Sequence, residues 1–465
     1  MADGAKCPNL QWCYHLYRKM FKKEYGEPTG LAMIDALRSL VAKYNEDCGS
    51  VCAKVETFGS EVVVVLCSPL MKRVHEYLKA SGEMLFLDSG GMMDRQNSRV
   101  FTFLAPSVAG ALPMGMIITS SESEDVLTFG MKELLTTLPS CAFYGRGTQG
   151  PVVGMTDDST AERNSLKNVF LDIILLLCLF HILSALWRYV WDSKHKVDPK
   201  NKEEIFLLFK QWCLTKEEDD FKKRYNVLLA DPRISGNKHL KKHIEDLCGR
   251  ASEWALCYRN HLLVRGYNTD NYSEAAIRRF KEDVMNRVRA YSLTQLFDFF
   301  TTRLEAYFER RIADVLNNRK ENYWKSKHFI KASKLERLKC FQSSRDNMFI
   351  VHNTEKKPTY IVDIELELCS CPVGFNGAPC KPQYAVIKDF NLSSTQYLPF
   401  EDVKAKAILH KIMTTTAPRP GWYAPLKSGP ISHCNEVNDG DVDGNTWHTE
   451  TCETASYSGG KFLEP

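Results

Sequence analysis

The sequence predicts an α/β protein in which helices flank a mixed sheet. Three apolar, strand-like segments follow one another, at 84–88, 100–104 and 116–119. Helices and strands then alternate, with helices at 124–137, 159–169 and 181–190 and strands at 152–156 and 173–178. From residue 193 to 260, apolar residues recur at helical spacing among charged ones, which predicts a helical insertion. Consecutive strands followed by this alternation favour one mixed sheet covered by helices.

The composition limits the class of protein without choosing a function. The chain has 465 residues, of which 44% are hydrophobic and 25% charged, so it can bury two or three cores. A net charge of +4 is nearly balanced, and a nucleic-acid surface would therefore need local clustering of basic residues. The 16 cysteines are dispersed, and the start lacks a charged-then-apolar leader. We expect reduced thiols and an intracellular protein.

One apolar segment, 170–187, is about long enough to be taken for a membrane span. Asp172 and His181 interrupt it, and charged residues are costly inside a bilayer. The run from Ile173 to Leu177 is continuous, as in a strand covered on both faces, and helical spacing begins at Ile182. The sequence therefore predicts a buried strand that leads into a helix, and no membrane partner.

Two aspartates stand at the ends of predicted strands. Asp88 follows Met84-Leu85-Phe86-Leu87, and Asp157 follows the strand 152–156. A carboxylate in such a position is costly to bury unless hydrogen bonds or a cation compensate it. If the two strands are neighbours, both carboxylates could bind one Mg²⁺ or Mn²⁺ ion. The alternative is that each aspartate belongs to a turn or caps a helix, as Asp158 could do for the helix beginning near Ser159.

The order of elements is that of a ribonuclease H-like fold, and three short motifs within it resemble one family. They are Leu87-Asp88, Gly154-Met155-Thr156-Asp157-Asp158 and Leu177-Cys178-Leu179-Phe180-His181. Together they resemble the central domain of Mutator-like (MULE) transposases. The resemblance implies an Asp-Asp-Glu metal triad whose first two members are Asp88 and Asp157, with Cys178 and His181 as a supporting Cys-x-x-His pair.

The third acid of the implied triad has two candidates. The segment 268–274 resembles the family's Thr-x-Asn-x-x-Glu segment, which opens a helix after the insertion, so Glu274 is the first choice. Glu253 is the reserve. Glu274 could instead be a capping-box partner of Asn271.

A second resemblance is to the SWIM zinc finger, whose pattern is Cys-x-Cys, a short loop, and Cys-x-His. Cys369, Cys371 and Cys380 match three ligands, and Pro382 stands where the histidine is expected. A closed zinc site would then need another donor, such as His352, His410 or a water molecule. The alternative is a degenerate finger whose thiols are buried without metal.

These motifs predict five regions. They are an N-terminal, partly helical remnant (1–80), the ribonuclease H-like core (81–192), the helical insertion and closing helices (193–335), a small ββα SWIM-like module (345–390) and a disordered tail (434–465). The resemblance implies a metal-dependent DNA transposase that hydrolyses a phosphodiester and transfers the strand. The alternative is a domesticated, non-catalytic protein that binds zinc and either DNA or a protein partner. The expected partners are DNA and, through the SWIM-like module, other proteins, and from the presumed DNA substrate we expect a nuclear location.

Overall fold

A seven-stranded mixed sheet forms the centre of the computed structural model. The structure describes residues 8–269, 271–317, 319, 332–344, 347–355, 358–364, 368–374, 378–390, 392, 403–419 and 422. The strands of this sheet are β1 (Ala53–Phe58), β2 (Glu61–Leu66), β3 (Met84–Gly90), β4 (Arg99–Ala105), β5 (Leu112–Thr119), β6 (Val153–Thr156) and β7 (Ile174–Leu177). Their order across the sheet is β1-β2-β5-β4-β3-β6-β7.

Helices cover the sheet and build a separate helical layer. The α-helices of eight or more residues that the structure describes are Leu10–Tyr25, Gly30–Cys48, Pro69–Tyr77, Glu124–Leu135, Thr160–Val169, Leu179–Trp191, Lys202–Cys213, Glu218–Ala230, Lys238–Gly249, Asn271–Arg279, Glu305–Leu316, Lys381–Asp389 and Val403–Thr414. Shorter α-helices are Ala80–Glu83, Ala142–Gly145, Pro232–Ser235, Ala251–Trp254, Leu293–Phe299 and Ala332–Leu335. Two π-helical turns, Phe280–Val284 and Phe300–Leu304, lie within the closing helices.

The pairing of the strands decides which ends meet. β3, β4 and β5 are consecutive antiparallel neighbours, whereas β3, β6 and β7 run parallel. Phe86 pairs with Met155, and Thr156 pairs with Leu177. The carboxyl ends of β3, β6 and β7 therefore lie side by side at one edge of the sheet, where parallel sheets commonly bind ligands.

The N-terminal region contributes to this sheet. β1 and β2 form a hairpin whose second strand pairs antiparallel with β5, with Val63 opposite Thr119. The helix Gly30–Cys48 packs on β1 and buries Met33, Leu37 and Val41. The hairpin thus extends the sheet by two strands and joins its hydrophobic core.

Two further hydrophobic cores follow along the chain. The helices between Leu179 and Arg259 bury a second core that includes Phe209, Trp212 and Trp254. The third core lies under a four-stranded antiparallel sheet of β8 (Leu338–Gln342), β9 (Met348–Asn353), β10 (Thr359–Asp363) and β11 (Leu368–Cys369), covered by the helix Lys381–Asp389. Where the sequence predicted a ββα module, four strands precede the helix.

Most sequence-predicted elements are confirmed to within a few residues. The α/β class is confirmed, and so are the strand 173–178 and the helix 181–190, observed as Ile174–Leu177 and Leu179–Trp191. None of the described helices combines the length and the apolar character that crossing a membrane requires. The predicted tail, 434–465, lies outside the described residues.

A buried histidine links the sheet to the loop before β6. His75 in the helix Pro69–Tyr77 has its Nε2 atom 2.9 Å from the carbonyl oxygen of Met114, and its Nδ1 accepts the amide of Phe143 at 3.2 Å. Because Nδ1 accepts, the ring is neutral with its proton on Nε2. Burial lowers the pKa of His75 from 6.5 to about 4.

This lowered pKa predicts a loss of stability in acid. As the pH falls below about 6.5, His75 binds a proton in the unfolded chain, whereas in the folded protein it stays neutral until about pH 4. Between pH 7 and pH 5 this group alone should cost about 2 kcal/mol of unfolding free energy. Urea denaturation of the parent and of His75→Gln, which keeps one donor and one acceptor, checks this. The variant should lose about 2 kcal/mol less over that interval, and equal losses would contradict the assignment.

Candidate metal centres

Asp88 and Asp157 lie at the shared carboxyl edge of β3 and β6. Asp88 is two residues beyond Phe86, and Asp157 is two residues beyond Met155, its partner across the parallel pair. The register therefore places the two aspartates level with each other, with Asp88 within β3 and Asp157 directly after β6. Both are partly buried. Asp88 Oδ1 accepts the Ser89 amide at 2.7 Å, and Asp157 Oδ1 accepts the Ser159 amide at 2.9 Å.

A third carboxylate, from Glu162, lies at the same edge. It belongs to the first turn of the helix Thr160–Val169, whose N-cap is Ser159 and not Asp158. The side chain of Glu162 is buried with 3% of its surface exposed, and its Oε2 atom has no hydrogen-bond partner among the residues that the structure describes. Glu162 is not among the acids predicted from the sequence. Its only signal was the pattern Ser-x-x-Glu, which is typical of an ordinary capping box.

The pKa of Glu162 is affected by the charges of the two aspartates. Burial, and after it the charges of Asp157 and Asp88, raise the pKa of Glu162 from 4.5 to about 9, while a hydrogen bond with the Ser89 side chain opposes them. Three carboxylates thus interact electrostatically at one sheet edge. Their oxygens do not form a compact group, because the single described set of three such donors within 4.8 Å of one another consists of cysteines.

Ion pairs beside these acids connect the helical insertion to the sheet. Arg163 donates to Glu253 at 2.6 Å and to Thr156 Oγ1 at 3.2 Å. Arg250 forms a two-pronged pair with Asp158 at 2.7 and 3.1 Å and also contacts Glu253 at 2.9 Å. Two arginines and two acids, drawn from the helix after β6 and from the insertion, therefore share one network.

The two sequence-predicted third acids have different surroundings. Glu253 is bound by Arg163 and Arg250, which gives it a structural partner on each side. Glu274 lies in the helix Asn271–Arg279, which packs against β3 and β4, but its side chain and that of Asn271 lie outside the described residues. The backbone thus brings the segment that carries Glu274 beside the strand that carries Asp88.

The Cys178 and His181 pair stands at the start of the helix after β7. The Cys178 amide donates to the Thr156 carbonyl at 2.9 Å, which ties this helix to the end of β6. Neither residue belongs to a group of three metal donors among the residues described. Nearby, fully buried Arg259 donates to the Leu177 carbonyl at 2.5 Å and to the Glu253 carbonyl at 3.2 Å.

Cys369, Cys371 and Cys380 form a second candidate centre under the small sheet. All three are buried, and their sulfur atoms lie within 4.8 Å of one another. Tetrahedral zinc with Zn–S bonds of about 2.3 Å holds its sulfur ligands roughly 3.8 Å apart, which lies inside that limit. The cluster could therefore hold a metal ion.

Backbone amides donate hydrogen bonds to the sulfur atoms of the cluster, and a glycine stands where one sulfur approaches the backbone closely. The Cys371 amide donates to Cys369 Sγ at 3.4 Å, and the Gly374 amide donates to Cys371 Sγ at 3.2 Å. A Cβ atom on Gly374 would come within 2.8 Å of Cys380 Sγ, so only glycine allows this approach. Hydrogen bonds from the other two thiols lower the pKa of Cys371 to about 3, whereas burial raises that of Cys380. One thiolate is thus favoured before any metal binds.

The fourth position of a zinc site is not filled by the histidines considered from the sequence. His352 is exposed on β9, with Nδ1 2.8 Å from Thr359 Oγ1, because it alternates with the inward-facing Phe349 and Val351. His410 Nδ1 is 2.7 Å from the Thr416 carbonyl oxygen. Pro382 lies in the first turn of the helix Lys381–Asp389, where proline is favoured because its missing N–H is not needed.

No protein-family model and no curated protein matches this chain.

The ion-pair network predicts a measurable loss of stability on replacing Arg163. The guanidinium has 8% of its side chain exposed, so Arg163→Met removes a buried cation and leaves Glu253 with Arg250 alone. We expect the free energy of unfolding to fall by about 3 kcal/mol. Urea denaturation checks this, with Arg287→Met as the control, because the Arg287–Glu282 pair is exposed and should cost at most about 1 kcal/mol. Equal losses in the two variants would contradict a network that joins insertion and sheet.

Proposed function

We propose that the chain is a metal-dependent DNA-processing protein of the transposase type, which hydrolyses a phosphodiester and transfers the strand. The observation that carries this proposal is the level position of Asp88, in β3, and Asp157, directly after the adjacent parallel strand β6. Carboxylate oxygens are the ligands that Mg²⁺ and Mn²⁺ prefer, and two or three acids at one point are what such an ion needs.

The sheet supports a ribonuclease H-like core. Strands β5, β4, β3, β6 and β7 are adjacent in that order, with the first three antiparallel and the last two parallel to β3. This agrees with the order of elements expected from the sequence, namely three consecutive strands and then alternating helices and strands. Of the acids expected from the MULE resemblance, Asp88 lies in β3 and Asp157 directly after β6.

The proposed chemistry depends on the metal ion that the acids would bind. A bound Mg²⁺ or Mn²⁺ ion would activate a water or a DNA 3′-hydroxyl and stabilise the leaving oxygen. Asp88 and Asp157 would fix that ion at the sheet edge, because their backbones belong to paired strands and cannot move apart independently. Glu274, in the helix that packs against β3, is the third acid proposed from the resemblance.

The proposed function predicts an activity that depends on Mn²⁺ and requires Asp88 and Asp157. We expect the purified chain to nick supercoiled DNA and to join a labelled 3′-hydroxyl end to it. Asp88→Asn and Asp157→Asn should each lose activity by roughly 100-fold or more, because each removes a charged ligand of the ion. Asp158→Asn is the matched control, since Asp158 is exposed and pairs with Arg250.

The same assay separates the two readings of the sequence. If the parent shows no Mn²⁺-dependent activity, or if the aspartate variants equal the parent, the transposase proposal fails. DNA binding without activity would then favour the non-catalytic alternative, in which these domains serve DNA or protein binding.

We also propose that the cysteine cluster is a zinc site of SWIM type. Three buried thiols within 4.8 Å of one another support it, as does the position of Cys380 at the start of a helix. Zinc favours thiolates, and the fourth ligand would be a water or a donor from another molecule. This module would contribute DNA or protein binding.

A zinc site at the cysteine cluster predicts that the zinc content of the purified protein depends on Cys380. The parent should retain a single zinc ion per chain after dialysis, and Cys380→Ser should retain little, because a structural site loses affinity with any thiolate. Cys340→Ser is the control, since Cys340 lies in the same small sheet outside the cluster. Metal analysis measures both, and equal zinc in Cys380→Ser and the parent would rule out this site.

A further inference from the structure

Glu162 is a buried acid whose position has no structural explanation in helix capping. In a capping box the glutamate would accept the amide of the N-cap residue, Ser159. That amide donates instead to Asp157 Oδ1 at 2.9 Å. The Ser159 hydroxyl accepts the Glu162 amide at 3.4 Å, so the helix is capped without using the glutamate carboxylate.

The Glu162 carboxylate is held inside the acid cluster. Its side chain is 3% exposed, Ser89 beside Asp88 hydrogen-bonds to it, and within the described part of the chain its Oε2 atom has no hydrogen-bond partner. Asp157 and Asp88 are the charged groups that most strongly disfavour its ionised form. A buried, unsatisfied polar atom costs free energy, and a buried carboxylate costs more unless a cation compensates it.

The arginines nearby are engaged with other acids. Arg163 pairs with Glu253, and Arg250 pairs with both Asp158 and Glu253. This network lies on the insertion side of the helix Thr160–Val169. A divalent cation is the compensating group that matches three carboxylates on the other side.

We propose that Glu162 is a ligand of the divalent cation bound by Asp88 and Asp157. The site then consists of two strand ends and the first turn of the helix that follows β6. This inference rests on the proposed function, since it assumes the cation at the two aspartates. The carboxylate oxygens are not all within 4.8 Å of one another, so the ion would draw them together or reach one of them through water, as Mg²⁺ commonly does.

Mn²⁺ binding to the full, zinc-loaded chain tests the assignment without relying on activity. The signal of free Mn²⁺ in electron paramagnetic resonance gives the affinity, and the Mn²⁺-induced rise in Tm gives an independent measure. Glu162→Gln should weaken binding by roughly tenfold or more and lose most of the rise in Tm. Asp125→Asn is the matched control, since Asp125 is an exposed acid in the first turn of the helix Glu124–Leu135.

The possible results separate this inference from the proposed function. Unchanged Mn²⁺ affinity in Glu162→Gln, with binding in the parent, overturns the role of Glu162 and leaves the aspartate site standing. No Mn²⁺ binding by the parent overturns both proposals.

Folding of the variant is checked in EDTA. There Glu162→Gln should unfold at the parent's Tm or above it, because it replaces a buried acid by a neutral amide of the same shape. If that variant fails to fold, Glu162→Asp takes its place. It keeps the charge but shortens the side chain, and it should weaken Mn²⁺ binding relative to the parent, whereas parent-like affinity overturns the inference.

Discussion

The parallel pairing of β3 with β6 is the constraint on which the rest of the acid site depends. The register that sets Phe86 opposite Met155 also sets Asp88 level with Asp157, and a shift of one residue would turn one of them to the other face. β7 pairs with β6 on its other side, and the Cys178 amide extends this pairing by one residue beyond the end of β7, because it donates to Thr156, the last residue of β6. The position of the aspartates is therefore determined by backbone hydrogen bonds of the sheet.

Charged side chains are concentrated at this edge of the sheet because several strands and helices begin or end there. The helix Thr160–Val169 adds Glu162 on one side and Arg163 on the other, since consecutive helical residues point about 100° apart. Arg163 turns to Glu253 of the insertion, while Glu162 turns to the aspartates. One short helical turn thus separates a neutralised ion-pair network from a group of carboxylates. Arg163 nevertheless stays close enough to Asp157 for their charges to attract each other.

Site residues that stand out by the local sequence pattern could be predicted, whereas those that depend on burial in the tertiary structure could not. Asp88 and Asp157 could be found because an acid that ends an apolar strand is unusual wherever the strand lies. Glu162 could not, because Ser-x-x-Glu at a helix start reads as a cap, and only the structure reveals that the Ser159 amide is taken by Asp157. His352 was considered as a zinc ligand, but alternation along β9 turns it outward. The assignment of Glu274 stays a prediction, since its side chain lies outside the described residues.

Pro382, which stands where the SWIM resemblance expects a histidine, has a structural role of its own. At the second position of the helix Lys381–Asp389 a proline presets the backbone, and Gln383 Oε1 accepts the Cys380 amide at 3.2 Å. The helix start that would present a histidine to the metal is instead built to hold Cys380 in place. Gly374 makes room for the Cys380 sulfur, and the three thiols converge without a fourth metal donor among the described residues. The zinc site proposed for this cluster would leave one coordination position for water or an external donor.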